Sequence, residues 1–153
     1  MVALKTLLGE RTVVMGVGSL LKKDDALGPL IISKLIDRGF VKYPLIDAGT
    51  TPENYIGKIA GLEPDLLLII DAADFGAAPG TIALFNSAEI LLKGFSTHDL
   101  SLKTFAEHLV QIIPVLQVLV LGVQPEAIGF GEGLSPPVNL AMEQIVGQFI
   151  ALQ

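Results

Sequence analysis

The stretch from Val13 to Pro29 constrains the fold of this chain more than any other. It opens with Val13-Val14-Met15, a short apolar run rich in β-branched residues, the composition of a strand buried on both faces. Gly16 and Gly18 follow where such a strand must leave its sheet. Lys22, Lys23, Asp24 and Asp25 come next, and Leu30, Ile31, Leu35 and Ile36 then show the spacing of one helix face. The unit reads strand, glycine turn, acidic loop, helix. In an open α/β sheet, ligands bind outside the carboxyl ends of the strands. This unit puts two carboxylates there.

The same alternation recurs along the chain. Residues 11–17 form the first expected strand, and a helix follows from about Asp25 to Arg38, with Gly39 as its C-cap. Tyr43 to Ile46 reads as a second short strand, ending in Asp47-Ala48-Gly49-Thr50. Thr51-Pro52-Glu53 then opens a helix with a hydroxyl cap, a proline and an acid in the first turn. Leu66 to Ile70 is an unbroken apolar run that terminates in Asp71-Ala72-Ala73-Asp74. Thr81 to Phe85 predicts a short antiparallel edge strand. A loop at residues 95–99 precedes a helix over Ser101–Ile112, a strand over Gln117–Val123, a Gly- and Pro-rich loop and a closing helix from Val138. The expected architecture is a single three-layer α/β domain over residues 1–153. It has a mostly parallel, twisted sheet of about five strands, with helices on both faces.

Bulk properties narrow the function. A chain of 153 residues holds one domain with a real core. A parallel sheet buried on both sides accounts for the 51% hydrophobic content. The net charge of −6 argues against a nucleic-acid partner, which requires a basic surface. Cysteine is absent, which removes disulfides, thiolate metal sites and cysteine nucleophiles together. Residues 108–125 carry no formal charge beyond His108, but Pro114 and three glutamines interrupt them, so a helix end followed by a buried strand is the expectation rather than a membrane span. Lys5, Glu10 and Arg11 break up any signal peptide, and a cytoplasmic setting is expected.

The residues able to do chemistry fall at strand ends or in the loops beyond them: Asp24 and Asp25, Asp71 and Asp74, His98, and Asp47 at a fourth such end. An imidazole with two carboxylates suits a divalent ion and leaves positions open for water or substrate. Each residue also has a bland reading. An aspartate ahead of a helix is commonly its N-cap, an aspartate ending a strand is commonly a turn former, and His98 in a polar loop can simply face solvent. His108, on an expected helix, reads as surface or packing. Gly16 and Gly18 lack the third glycine of a dinucleotide fingerprint, since Leu21 stands there, and no lysine-serine pair makes a phosphate loop.

Taken in order, these segments resemble the endopeptidases that mature nickel-iron hydrogenases. The resemblance runs through nearly the whole chain. It comprises Gly16-Val-Gly-Ser-Leu-Leu-Lys-Lys-Asp-Asp-Ala-Leu-Gly, Ile46-Asp-Ala-Gly-Thr-Thr-Pro-Glu, Leu67-Leu-Ile-Ile-Asp-Ala-Ala-Asp, Ala78-Pro-Gly-Thr-Ile, Ser96-Thr-His-Asp-Leu, Leu121-Gly-Val-Gln-Pro-Glu and Gly133-Leu-Ser-Pro-Pro-Val. Two departures stand out: Ser19 where the family usually has Asn, and Ala48-Gly49 where it has two glycines. The resemblance implies that Asp25, Asp71 and His98 are the metal-binding and catalytic set, and it alone selects Asp25 over Asp24. It implies removal of a short C-terminal extension from the hydrogenase large-subunit precursor, with nickel carried by that precursor. Zinc or another divalent ion in the isolated protein is a further expectation, as is a monomer. The family is often filed with aspartic peptidases, yet a two-aspartate, proton-sharing dyad is not evident in this sequence. A zinc-dependent hydrolase of another small substrate, and a non-catalytic metal- or peptide-binding module on the same scaffold, remain the alternatives.

Overall fold

The three unbroken apolar runs become the three inner strands of one sheet. In the computed structural model, residues 3–86, 89 and 99–153 are described. The strands are β1 (Thr12–Val17), β2 (Leu45–Gly49), β3 (Leu66–Ala72), β4 (Ile82–Asn86) and β5 (Gln117–Val123), in the spatial order β2-β1-β3-β5-β4. Every neighbouring pair is parallel except β4, which runs antiparallel along β5 at the edge, as the sequence predicts. The described helices are α1 (Leu4–Leu7), α2 (Leu27–Asp37), α3 (Ile56–Leu62), α4 (Asp99–Ile112) and α5 (Pro136–Ile150).

Alternation along the inner strands sends side chains to two cores. Val14, Leu68, Ile70, Leu119 and Leu121 meet α2 through Leu27, Ile31 and Leu35, and α5 through Val138, Met142, Ile145 and Phe149. Val13, Met15, Val17, Leu67, Ile69, Val118 and Val120 meet Ile59 of α3 and Leu102, Phe105 and Leu109 of α4. Both faces of the sheet are therefore dry, which is why the runs show no polar alternation. Burying each such Leu, Ile or Val stabilises the fold by roughly 1.5–3 kcal/mol before chain entropy is counted.

Some boundaries differ from the sequence reading. The second strand is Leu45–Gly49 rather than Tyr43–Ile46. Tyr43 is buried as a core side chain against Phe40, and Asp47 lies inside the strand, paired with Gly16 across from it. The first long helix is preceded by a 3-10 turn over Lys23–Ala26, and Pro29 falls in the first helical turn, where its missing N–H costs nothing. The short α1 was not expected from sequence.

The chain leaves β1 for the outer β2, then returns to β3 on the other side of β1. Strand order thus reverses at β1, and the crevice beyond the carboxyl ends of β1 and β3 is the switch point where α/β sheets bind ligands. The start of α2 packs tightly into that region. A Cβ added to Gly28 would stand 2.4 Å from the Ile70 carbonyl oxygen and 2.5 Å from that of Val17. Gly18, at φ +145°, lets the chain pass under the Asp25 carbonyl, which a Cβ would strike at 1.8 Å. Glycine at these two positions is a condition for bringing the acidic turn down onto the sheet.

Candidate functional site

Asp71 closes β3 as a fully buried carboxylate, opposite Gly122 of β5. Strand parity directs it to the same face as Leu67 and Ile69, the face covered by α3 and α4. Asp25 is also buried, in the turn that follows β1. Its Oδ2 accepts a hydrogen bond of 2.9 Å from the Ser19 N–H, six residues earlier. The turn packs against β3. The two carboxylates selected from the sequence therefore flank the switch point, Asp71 near the end of β3 and Asp25 in the turn beyond β1. His98 and residues 95–97 of the expected loop lie outside the described residues, whereas Asp99, expected in that loop, begins α4. Among the described residues, no group of three His, Cys, Asp or Glu side chains is placed to hold a metal ion. As carboxylates, Asp25 and Asp71 could offer a cation hard oxygen donors only.

Neither aspartate of the pair caps α2; no side chain bonds the helix start. Asp24 does something the sequence did not suggest. It is fully buried, and Oδ2 accepts hydrogen bonds from the N–H groups of Glu126 and Ala127 and from the Ser135 hydroxyl, at 2.8, 3.1 and 2.8 Å. Oδ1 accepts the Ser135 N–H at 2.7 Å. The 3-10 geometry of the turn explains the split. With three residues per turn, adjacent side chains point about 120° apart, so Asp24 reaches the 126–135 segment while Asp25 reaches back to Ser19.

Asp74 is exposed, and its role is local. Its Oδ1 accepts the Gln124 side-chain N–H at 3.0 Å and the Gly76 N–H at 3.2 Å. These bonds hold its carboxyl below the ordinary aspartate range, the Gln124 bond most strongly. Gln124 was not singled out from sequence as a functional residue. It is buried just beyond β5, and its Oε1 accepts the N–H groups of Phe75 and Ala77 at 2.8 and 3.3 Å. One amide thus fastens the loop that follows Asp71. The available signal was a lone polar residue, in the Leu121-Gly-Val-Gln-Pro motif, ending an otherwise apolar strand.

Asp47 is exposed; its Oδ1 accepts the Gly49 N–H at 3.1 Å. It borders a cleft of about 300 Å³ lined also by Gly18, Ser19, Leu20, Leu21 and Thr50. A comparable cavity of about 360 Å³ sits between Arg11, Glu63, Asp65 and Pro114, at the amino ends of the strands and away from the acids. His108 is exposed on α4, consistent with a surface role. No helix among the described residues is long and apolar enough to cross a membrane.

The profile of the HycI hydrogenase maturation proteases matches residues 30–152, a span that contains Asp71 and begins beyond Asp25. The hydrogenase 3 maturation protease of Escherichia coli K12 is 34% identical over 134 residues, covering 87% of this chain and 85% of that protein. The crystal structure of the [NiFe] hydrogenase maturation protease HycI from Thermococcus kodakarensis superposes with a TM-score of 0.82 at 28% identity, over 94% of this chain and 92% of that one. The hydrogenase maturating endopeptidase HybD from E. coli gives a TM-score of 0.74 at 28% identity, over 93% and 91%.

Proposed function

Because this chain belongs to the hydrogenase maturation protease family, we propose that it is the endopeptidase that removes the C-terminal extension of a nickel-iron hydrogenase large-subunit precursor after nickel insertion. The observation that supports this most is the placing of two buried carboxylates, Asp25 and Asp71, at the carboxyl ends of adjacent strands where the strand order reverses. In this reading the nickel ion arrives with the precursor. Asp25 and Asp71 offer it oxygen donors, and His98 offers an imidazole nitrogen. Holding that ion places the scissile bond against the site and makes the cleavage effectively intramolecular. A site carboxylate takes the proton from the attacking water and returns it to the amine nitrogen as the C–N bond breaks. Without the precursor's metal the enzyme lacks the element that positions its substrate, so it is a poor general protease.

The test is to incubate the protein with nickel-loaded and nickel-free precursor and to measure the mass of the large subunit. Loss of the C-terminal extension from the loaded form alone is the expected result. Equal cleavage of both forms rejects nickel gating. Binding without cleavage favours a non-catalytic module, and hydrolysis supported by added zinc on unrelated substrates favours a zinc hydrolase.

A further inference from the structure

The 126–135 segment is pinned at both ends by one buried carboxylate, that of Asp24, through the bonds to Glu126, Ala127 and Ser135. Its middle is stitched to the turn before Asp25. The Gly131 N–H donates to the Leu21 carbonyl at 2.9 Å, the Lys23 N–H to the Gly131 carbonyl at 3.0 Å, and the Asp24 N–H to the Ala127 carbonyl at 3.0 Å. The Lys22 ammonium lies 5.6 Å from the centre of the Phe130 ring, a cation–π distance. Beside the exposed charges of Lys22, Glu126 and Glu132, this scaffold presents large apolar side chains outward. Phe130 is 81% exposed, Leu21 67% and Leu20 55%. A single exposed apolar side chain is ordinary, but a set of them held together by a rigid frame marks a contact surface. Leu20 and Leu21 also line the cleft that includes Ser19, the residue whose N–H holds Asp25. Through that bond the Leu20 and Leu21 end of the rim adjoins the Asp25 turn.

We propose that Asp24 is a positioning residue for substrate recognition: it clamps the 126–135 segment onto the Asp25 turn and so fixes Leu20, Leu21 and Phe130 as an apolar rim that receives the precursor segment flanking the scissile bond. The inference rests on the endopeptidase reading above. The segment that fits is apolar, because the rim offers hydrocarbon while Lys22 is engaged with the Phe130 ring. Asp24 touches no reacting group in this scheme and acts only through the rim.

The experiment measures KM and kcat for cleavage of nickel-loaded precursor by wild type, Asp24→Asn, Phe130→Ser and the double variant, with melting temperatures recorded for each. Asp24→Asn keeps the size of the side chain but puts an NH₂ donor where an oxygen accepts. Each single change is expected to raise KM about tenfold, the equivalent of about 1.4 kcal/mol at a contact side chain, with kcat within about twofold. Because both act on one rim, the double variant is expected to match the worse single rather than reach about a hundredfold, the multiplicative outcome of independent sites. Unchanged KM in Phe130→Ser, a multiplicative double, or a loss confined to kcat in Asp24→Asn each overturns the proposal. If Asp24→Asn does not fold, Ser135→Ala takes its place in the cycle, since it removes one of the bonds and leaves the charge buried as before. If wild type cleaves no precursor, the endopeptidase reading fails. The rim is then decided by calorimetric titration of the same precursor, where a Kd equal in wild type and Phe130→Ser overturns it.

Discussion

Replacing Gly28 by alanine tests whether the close seating of α2 on the sheet carries the site. The added methyl would lie 2.4 Å from the Ile70 carbonyl oxygen, and 2.5 and 2.6 Å from the oxygen and nitrogen of Val17. All three are backbone atoms of central strands, which cannot swing aside as a side chain does. Overpacking of this kind costs about 3 kcal/mol. Alanine's better helix propensity returns at most about 1 kcal/mol, leaving a net loss of about 2 kcal/mol. For a domain of this size that is a fall in Tm of about 4–8 °C. Gly57, in α3, is the internal control. A Cβ there meets nothing within 4 Å, so Gly57→Ala gains about 0.5–1 kcal/mol. Thermal melts and urea titration, both followed by circular dichroism, measure the two variants, with an unchanged m-value as the check that the two-state comparison holds. If Gly28→Ala unfolds within 1 °C of wild type, or if the two alanines shift stability in the same direction, the packing argument is wrong. Processing activity should fall with Gly28→Ala as well, because lifting the first turn of α2 also lifts Asp25.

The remaining predictions concern individual polar side chains. Asp71→Asn keeps size, removes charge and should lower processing of nickel-loaded precursor by at least about a hundredfold while the far-UV spectrum is unchanged; His98→Ala should do likewise, and His108→Ala should match wild type in the same mass assay. Gln124→Ala strands the Phe75 and Ala77 N–H groups and should cost about 1–3 kcal/mol in a denaturant titration. Asp74 supplies a pH signature. Its folded pKa is depressed below its ordinary value of 3.8, so its contribution is complete above the unfolded value and disappears as pH falls through the folded one. The stability difference between wild type and Asp74→Asn should be flat from about pH 7 to 5 and close below about pH 4; a difference that widens toward acid contradicts the assignment.

Long-range order was legible wherever burial on both faces erased alternation. Val13–Val17, Leu66–Ile70 and Val118–Leu121 are the inner strands because a run without polar interruption can only sit between two dry layers. The second strand misled because its composition is ordinary. Tyr43 looks like a strand residue but packs as a core aromatic, whereas Asp47 and Gly49 look like turn residues and are held in the strand by pairing with Gly16 and Val17. Propensity describes a residue alone; a parallel partner with its own register decided the boundary.

The paired aspartates show why the site was only half readable. Sequence order places Asp24 and Asp25 at the same address, one past a strand and just before a helix, and on local grounds each is a candidate cap. The structure spends neither on capping. Asp25 finds its partner six residues back, within reach of a motif-level reading, because Gly18 bends the chain beneath it. Asp24 finds its partners 102 to 111 residues away, and no local pattern encodes that. Such a buried charge persists only if every acceptor position is well used, since an unpaired carboxylate in the interior is far costlier than a neutral group. Donors from both ends of the 126–135 segment therefore stabilise Asp24, and Asp24 in turn holds that segment. The dependence makes adjacent acids separable by experiment. Loss at Asp25, which offers a donor to the precursor's nickel, should lower kcat as well as weaken binding, whereas loss at Asp24 should appear in KM with kcat nearly unchanged.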